Sequence, residues 1–367
     1  MLYREDWDRV KEIYKLWWNK ELDFPLLQVV SPKGGVRGYK GYDGWGFLRY
    51  KCCPEKAIDI FENRCKDTYF GGESFPNLWM NLGPGSLASY FTGFLRFDSD
   101  TNTAWFENPL PWEKVEKLEF KEDNEWWQYT KYITRLSIER GKEKFIVGTT
   151  DIGGVLDILA SFRGAQNLLI DLIEEPDKVL SMIDKILEAW FKVYQELYDI
   201  TSENQEGTSA WMGIWCHKRW YPLQCDFSYM ISPKMFERFV ALNLEKQCKW
   251  LDYSIYHLDG PGEIPHLDIL LDIPELSGIQ WVPGAGNPQC DSPKWFDMYK
   301  KITKHNKLLV LQSFDDINNI PKILEEIPNK GMVLISTWVD NESTAREFIQ
   351  RVRRFLSYGK DYFYRSW

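Results

Sequence analysis

Ser254-Ile255-Tyr256-His257-Leu258-Asp259-Gly260-Pro261-Gly262 reads as a strand that stops abruptly. An extended apolar stretch, Ser254–Leu258, runs straight into a polar turn rich in Gly and Pro. His257 and Asp259 are two residues apart, so on an extended backbone their side chains point to the same side. A strand of this kind, ending in a polar loop, marks an α/β unit in which chemistry sits at the strand's C-terminal end.

Seven further stretches follow the same logic: Leu26–Val30, Leu78–Leu82, Phe145–Thr149, Ser209–Ile214, Gly278–Val282, Leu308–Gln312 and Met332–Ser336. Leu308–Leu311 and Val333–Ile335 are apolar throughout, as strands covered on both faces must be. From Phe145 onward these runs alternate with amphipathic helices, which indicates parallel strands with helical crossovers. Pro176–Tyr198 is one such helix, with Glu174, Glu175 and Asp177 near its N-terminus. Ser232-Pro233-Lys234 starts another, with Ser232 as cap and Pro233 at the first position, running to about Trp250. Asn341–Leu356 forms a helix near the end of the chain. Eight parallel strands are the number that closes a barrel. The expected fold is therefore α/β, a (β/α)8 TIM barrel formed as a single domain over residues 1–367, with N-terminal helical and loop decoration.

Composition is compatible with this. The chain has 367 residues, 44% of them hydrophobic, enough to bury a large core. Its net charge of -9 argues against a nucleic-acid partner, which calls for a basic footprint. No basic targeting segment and no apolar run of membrane length is visible, so no membrane partner is expected. The seven cysteines are scattered and odd in number, which suits reduced thiols in a cytoplasm. The 18 tryptophans supply either core or ligand-pocket walls.

Strand ends give the candidate site. His257 and Asp259 lead, as a pair that shares a proton or binds a metal, or else stiffens its loop. After Ser209–Ile214 come Cys216, His217, Lys218 and Arg219, then Cys225 and Asp226. The sulfur and imidazole are possible metal ligands, and Arg219 with Lys218 suits a carboxylate substrate. Asp151, in Thr149-Thr150-Asp151-Ile152-Gly153-Gly154, either faces the barrel mouth or caps the next helix. Gly153 and Gly154 permit close backbone approach. Gln280 and Trp281, Gln312 and Ser313, and Ser336 through Trp338 end the remaining strands. The catalytic candidates are thus His257, Asp259 and Asp151. Arg219, Asp226, Gln280, Trp281 and Trp338 are the substrate contacts, and His257, Asp259 and Cys216 the metal candidates. Gly83-Pro84-Gly85-Ser86 lacks the dinucleotide fingerprint, and no phosphate loop, paired CxxC or serine nucleophile elbow is present.

Three segments resemble the uroporphyrinogen decarboxylase superfamily. They are Phe145–Val179 with Arg163-Gly164 and Glu174-Glu175-Pro176-Asp177-Lys178-Val179, Asp226–Gly260 with Ile231-Ser232-Pro233-Lys234-Met235-Phe236, and Val333–Val352. The resemblance spans roughly Phe70–Val352. It implies a (β/α)8 barrel and either porphyrinogen decarboxylation or corrinoid-dependent methyl transfer. The decarboxylases resemble one another in an Arg-rich N-terminal loop. Here Phe24–Lys33 stands at that place without either Arg, which speaks against a porphyrinogen bearing many carboxylates. The methyltransferases use a His-x-Cys at a strand end and a later Cys to hold zinc. His257 matches the His, Asp259 stands for the first Cys, and Trp338 or a neighbour for the second. The expectation is a methyltransferase-like enzyme acting on a small polar substrate, with zinc as the implied metal and a corrinoid protein as the implied partner. A decarboxylase of another carboxylated substrate, clamped by Lys218 and Arg219, and a non-catalytic or glycan-handling barrel remain alternatives.

Overall fold

Extended apolar runs that lie between helices pair with one another in parallel, because each crossover returns the chain to the same end of the sheet. The computed structural model of the protein, which describes residues 1–34 and 44–357, shows this directly. Among the described residues eleven strands form: β1 (Leu26–Pro32), β2 (Thr68–Gly72), β3 (Asn77–Trp79), β4 (Arg96–Asp98), β5 (Thr103–Trp105), β6 (Ile146–Gly148), β7 (Trp220–Gln224), β8 (Tyr253–Asp259), β9 (Gly278–Val282), β10 (Leu308–Leu311) and β11 (Val333–Trp338). The main sheet has seven strands in the order β2-β1-β11-β10-β9-β8-β7, parallel from β1 to β7 with β2 antiparallel at one edge. A second pair, β3 and β6, is also parallel, and β4–β5 is a small hairpin.

The fold is thus α/β with a mixed sheet and many helices. Among the described residues the ladders do not close into a ring. Both parallel sheets nonetheless face one interior. Leu26, Ile255, Leu308, Val310 and Leu334 of the main sheet pack there with Ile146 of β6. Their neighbours in sequence, such as Leu27, Tyr256, Ile279, Leu309 and Ile335, point the other way into a larger core shared with the helices. One period of two along each strand therefore builds two cores.

The expected helices at Pro176–Tyr198, Ser232–Trp250 and Asn341–Leu356 appear as Pro176–Ser202, a run from Pro233 to Trp250 with a π-helical turn at Glu237–Ala241, and Glu342–Ser357. Ser232 accepts the Met235 amide, as a cap should. Several strands differ from the expectation, the short β4–β5 hairpin among them. Ser209–Ile214 is not a strand. Ser209 makes a single parallel bridge to Gly148, the chain then turns at Gly213, and Cys216 returns antiparallel to Thr208. The strand lies further on, at Trp220–Gln224. Pro222 hides it in the sequence, because Pro suits only an edge strand, and β7 is the edge. β2 is also absent from the sequence reading: Gly71 and Gly72 weaken its strand character.

The first helix, α1 (Trp7–Trp18), plugs the bottom of the interior. Trp7, Val10, Tyr14, Trp17 and Trp18 all join the inner core. Trp18 donates its indole N–H to the Trp215 carbonyl at 2.9 Å and stacks on Tyr253 at 4.9 Å. No described helix is long and apolar enough to cross a membrane.

Candidate functional site

At the opposite end the interior turns polar. His257 sits in β8 in direct register with Gln224 of β7 and Gln280 of β9. All three belong to the face that carries Ile255 deeper down. The His257 Nδ1 lies 2.6 Å from Gln280 Oε1. Gln280 Nε2 donates to Gln312 Oε1, and Gln312 Nε2 donates to the Met212 carbonyl at 2.9 Å. A carbonyl only accepts, so it sets the direction of the whole chain. Gln312 must turn its amide nitrogen to Met212 and its oxygen to Gln280. Gln280 in turn presents its oxygen to the imidazole. Nδ1 therefore carries a proton, so in the neutral tautomer Nε2 is the lone-pair acceptor.

The folded-back segment 208–216 is what makes this possible. Gln28 Nε2 donates to the Gly213 carbonyl at 2.6 Å, so two amides pin the turn from different strands. Trp211, on the same turn, sets its ring edge-on to His257 at 5.0 Å and 89°.

Carboxyls gather beside the histidine. Asp259 ends β8, and Asp226 follows β7. Asp157 lies in the first turn of the helix Val155–Arg163 and accepts the backbone amides of Asp226 and Phe227 at 3.1 and 2.8 Å. Glu263 is fully buried; its Oε2 accepts the Asp259 amide at 3.1 Å, and its Oε1 has no partner. Asp151 Oδ1 accepts the Gly153 amide at 2.8 Å and the Tyr221 hydroxyl at 3.3 Å. Gly154 makes the local packing possible, since a Cβ there would stand 2.2 Å from the Gln224 carbonyl oxygen.

Burial and mutual repulsion raise Asp151, Asp157, Asp226 and Glu263 above the usual carboxylate range. Asp151 is pushed up to about 7, first by burial and then by the charge of Asp226. Glu263 rises to about 9, chiefly by burial, with Asp226, Asp157 and Asp259 adding to it. Asp157 is raised by burial and by Asp226 against the pull of its two backbone hydrogen bonds. Asp226 opens to solvent yet is ringed by protein, and this partial desolvation together with Asp259 raises it, while His257 lowers it.

The structure therefore brings His257, Asp259, Asp226, Asp151 and Gln280 to one end of the sheet. Other expectations need correction. Cys216 and Arg219 lie at the opposite end, because they precede β7 instead of following a strand. Arg219 pairs there with Asp252, and Cys216 belongs to the inner core near α1. Trp281 alternates with Gln280 and so points outward, edge-on to Trp295 at 4.8 Å and fully buried. Trp338 ends β11 as an exposed rim residue. Sequence reading missed Gln312's role, Trp211, Asp157 and Glu263. Asp157 resembles an ordinary helix-start acid, and Trp211 lay inside the misplaced strand. Only Glu263, four residues after Asp259 in the same turn, carried a usable signal.

The zinc implied by the resemblance wants three protein ligands. His257 and Asp259 supply two. Burial holds the Cys216 and Cys225 thiols well above their ordinary pKa and pushes Cys290 up to about 11, and Cys225 and Cys290 pack in the outer core. Among the described residues no group of three or more His, Cys, Asp or Glu is arranged to hold a metal ion. The residues present do not fit zinc.

No family model matches the chain, and no curated protein sequence matches it. A solved methyltransferase from Methanosarcina mazei matches it in structure with a TM-score of 0.60, over 94% of this chain and 98% of that one, at 11% identity. At so low an identity the likeness concerns the fold.

Proposed function

We propose that this chain is an enzyme of the uroporphyrinogen decarboxylase superfamily, built on its barrel as one domain, that transfers a methyl group to a small polar acceptor. The observation that carries the reading is the amide relay from Met212, which leaves His257 Nε2 as a proton acceptor at the strand ends. The resemblance of the three sequence segments and the fold of the methyltransferase from Methanosarcina mazei support the reaction class. A corrinoid held by a partner protein would supply the methyl group as an electrophile and would keep the electron pair of the broken bond.

The residues of this chain do the rest. His257 Nε2 takes the proton of the acceptor as the acceptor's lone pair bonds to the methyl carbon. Gln280 and Gln312 hold the imidazole in the tautomer that can do so. Trp211 covers one edge of the ring and keeps water from it. Exposed Trp338, Tyr229 and Met230 form the rim that meets the partner. No step passes through zinc.

Incubation of the protein with methylcobalamin and a panel of small thiol, amine and hydroxyl acceptors tests the reading. Demethylation of the corrinoid that depends on enzyme and acceptor, and that falls at least about a hundredfold in His257→Gln, is the expected result. No transfer to any acceptor overturns it. The decarboxylase alternative loses its cationic clamp, since Arg219 sits at the far end. The carboxyl pairs favour one second reading, glycan hydrolysis with a proton-holding acid beside a second carboxylate. Turnover of chromogenic glycosides checks it.

A further inference from the structure

At the closed end of the sheet, away from His257, the stretch before α1, the edge strand β2 and the helix Glu342–Ser357 meet around a cavity of about 270 Å³. Four guanidiniums line it, those of Arg4, Arg9, Arg346 and Arg353, with Asp6 as the lining carboxylate. Arg346, Gln350 and Arg353 lie on one face of their helix and turn it toward the cavity. Arg4 is buried, and its two terminal nitrogens donate to the Phe70 and Gly72 carbonyls of β2. The guanidinium of Arg346 rests over the Tyr69 ring, 4.5 Å from its centre.

The charges in this wall do not match. Arg4 and Arg9 share Asp6: Arg4 Nε stands 2.8 Å from Oδ1, and Arg9 Nη2 stands 2.8 Å from Oδ2. Arg9 and Arg353 share Glu73, which is fully buried: Arg353 Nη2 donates to Oε1 at 2.9 Å, and Arg9 Nη1 lies 3.7 Å from the same oxygen. The other oxygen of Glu73 is taken by the Leu27 amide at 3.0 Å. Three guanidiniums thus divide two carboxylates, while Arg346 pairs with Glu342. A positive charge is left over in a chain whose net charge is -9. Donors are left over too. Nε and Nη1 of Arg353 and Nη1 of Arg346 have no hydrogen-bond partner among the described residues. The side chains of Arg9 and Arg353 are 37% and 34% exposed, so a solute can reach them. A clasp between two segments would match each guanidinium with its own carboxylate and close around them; here a charge is in excess and space remains. Guanidinium forks fit the oxygens of phosphate, and forks on several sides suit a tetrahedral anion better than a planar carboxylate.

We infer that this cavity binds a phosphate group, as the free ion or as the head of a small phosphorylated molecule. The cavity is larger than a phosphate alone, and Ile349 and Tyr69 offer a wall for an organic part. The site is separate from the proposed methyl-transfer end. Its ligand ties the stretch before α1 to β2 and to the helix Glu342–Ser357, and so stabilises the folded chain.

Calorimetric titration and thermal melts of the whole protein, in phosphate-free buffer at fixed ionic strength, test this with inorganic phosphate, glycerol 2-phosphate and acetate. Phosphate should bind saturably at one site and raise the melting temperature. Acetate should bind at least about tenfold more weakly, and sodium chloride of equal ionic strength should not reproduce the shift. Tighter binding of glycerol 2-phosphate than of phosphate identifies a phosphorylated molecule as the ligand, and equal or weaker binding identifies the ion. Arg353→Gln should weaken phosphate by about tenfold or more. That change also leaves Glu73 with less compensation and can unfold the chain. Gln350→Glu is therefore the second variant: it adds a carboxylate to the wall, breaks no ion pair, and should weaken phosphate to a similar degree. His257→Gln should bind phosphate as the parent chain does, which sets this site apart from the strand ends. The inference is overturned if phosphate shows no saturable binding, if sodium chloride or acetate matches it, if folded Gln350→Glu keeps full affinity, or if His257→Gln abolishes binding.

Discussion

The two ends of the same strands are built from opposite materials. At the N-terminal end, Trp7, Tyr14, Trp17, Trp18, Trp215 and Trp220 close the interior, with Ile255, Leu308 and Leu334 above them. At the C-terminal end, a few residues along the same inner face, stand His257, Gln280, Gln312 and a group of carboxyls. The first end removes apolar surface from water and supplies stability. The second keeps carboxyls protonated, leaves an oxygen of Glu263 without a partner, and lowers stability in return for chemistry. On the proposed function, folding and function divide along the strand axis and not between separate parts of the chain.

Substitutions can break or sharpen that division. The largest effect belongs to the upper end. His257→Ala should lower kcat/KM for methyl transfer by about three orders of magnitude, while the melting temperature stays within a few degrees. A stability loss of several kcal/mol would make His257 a brace, and the two ends would no longer differ in kind.

The lower end should answer in reverse. Leu308→Ala and Leu334→Ala delete fully buried inner-core side chains and should cost about 2–5 kcal/mol by denaturant titration. Activity per folded molecule should not change. Leu309→Ala, on the outer face of β10, should cost a similar amount.

A third effect lies in pH. An unfolded carboxyl titrates near 4 (roughly). In the folded chain Asp151 keeps its proton to about 7 and Glu263 to about 9. Between those values the native state binds more protons than the unfolded one. This contribution to stability is complete below the unfolded pKa and is lost as the pH rises through the folded ones. Melts from about pH 5 to about pH 9 should therefore show stability falling by at least about 2 kcal/mol. Asp151→Asn and Glu263→Gln should each flatten the slope; an unchanged slope in both would place the titration elsewhere.

The smallest effect tests the relay. Gln312→Leu removes the link between Gln280 and the Met212 carbonyl. His257 keeps its place but loses its fixed tautomer, so the rate should fall by about tenfold and the pH–rate profile should shift. Nitrogen NMR of His257 should show the Nδ1–H form in the native chain and a mixture in the variant. An unaltered tautomer in Gln312→Leu would remove the relay as a positioning device.

Much of this was legible in the sequence. Ser254–Leu258, Gly278–Val282 and Leu308–Leu311 carry enough continuous apolar character to declare themselves strands, and the Gly-Pro-Gly turn after Asp259 fixes which end is open. His257, Asp259, Asp226, Asp151 and Gln280 follow from that rule. The reading failed where local character and tertiary role diverge. Trp220–Gln224 contains a proline that only an edge tolerates, while 209–214 has strand-like residues that pack as a turn inside the fold. Misplacing that one strand carried Cys216 and Arg219 to the wrong end. Trp281 and Gln280 could not both face inward, and only the register decides between them. The relay was invisible because its terminus is a main-chain atom, which no residue type announces.

That last point bears on how such a site can change through descent. The Met212 carbonyl has no codon of its own. Any L-residue at 212 that preserves the turn presents the same oxygen, so point mutations there leave the direction of the amide chain intact. A gain or loss of one residue within 208–216 would instead replace the carbonyl by another group and could reverse every amide up to His257. The direction of the relay, and with it the proposed proton chemistry, is thus tolerant of spelling and sensitive to length, and lineages with new activities are to be sought among those whose turn is longer or shorter.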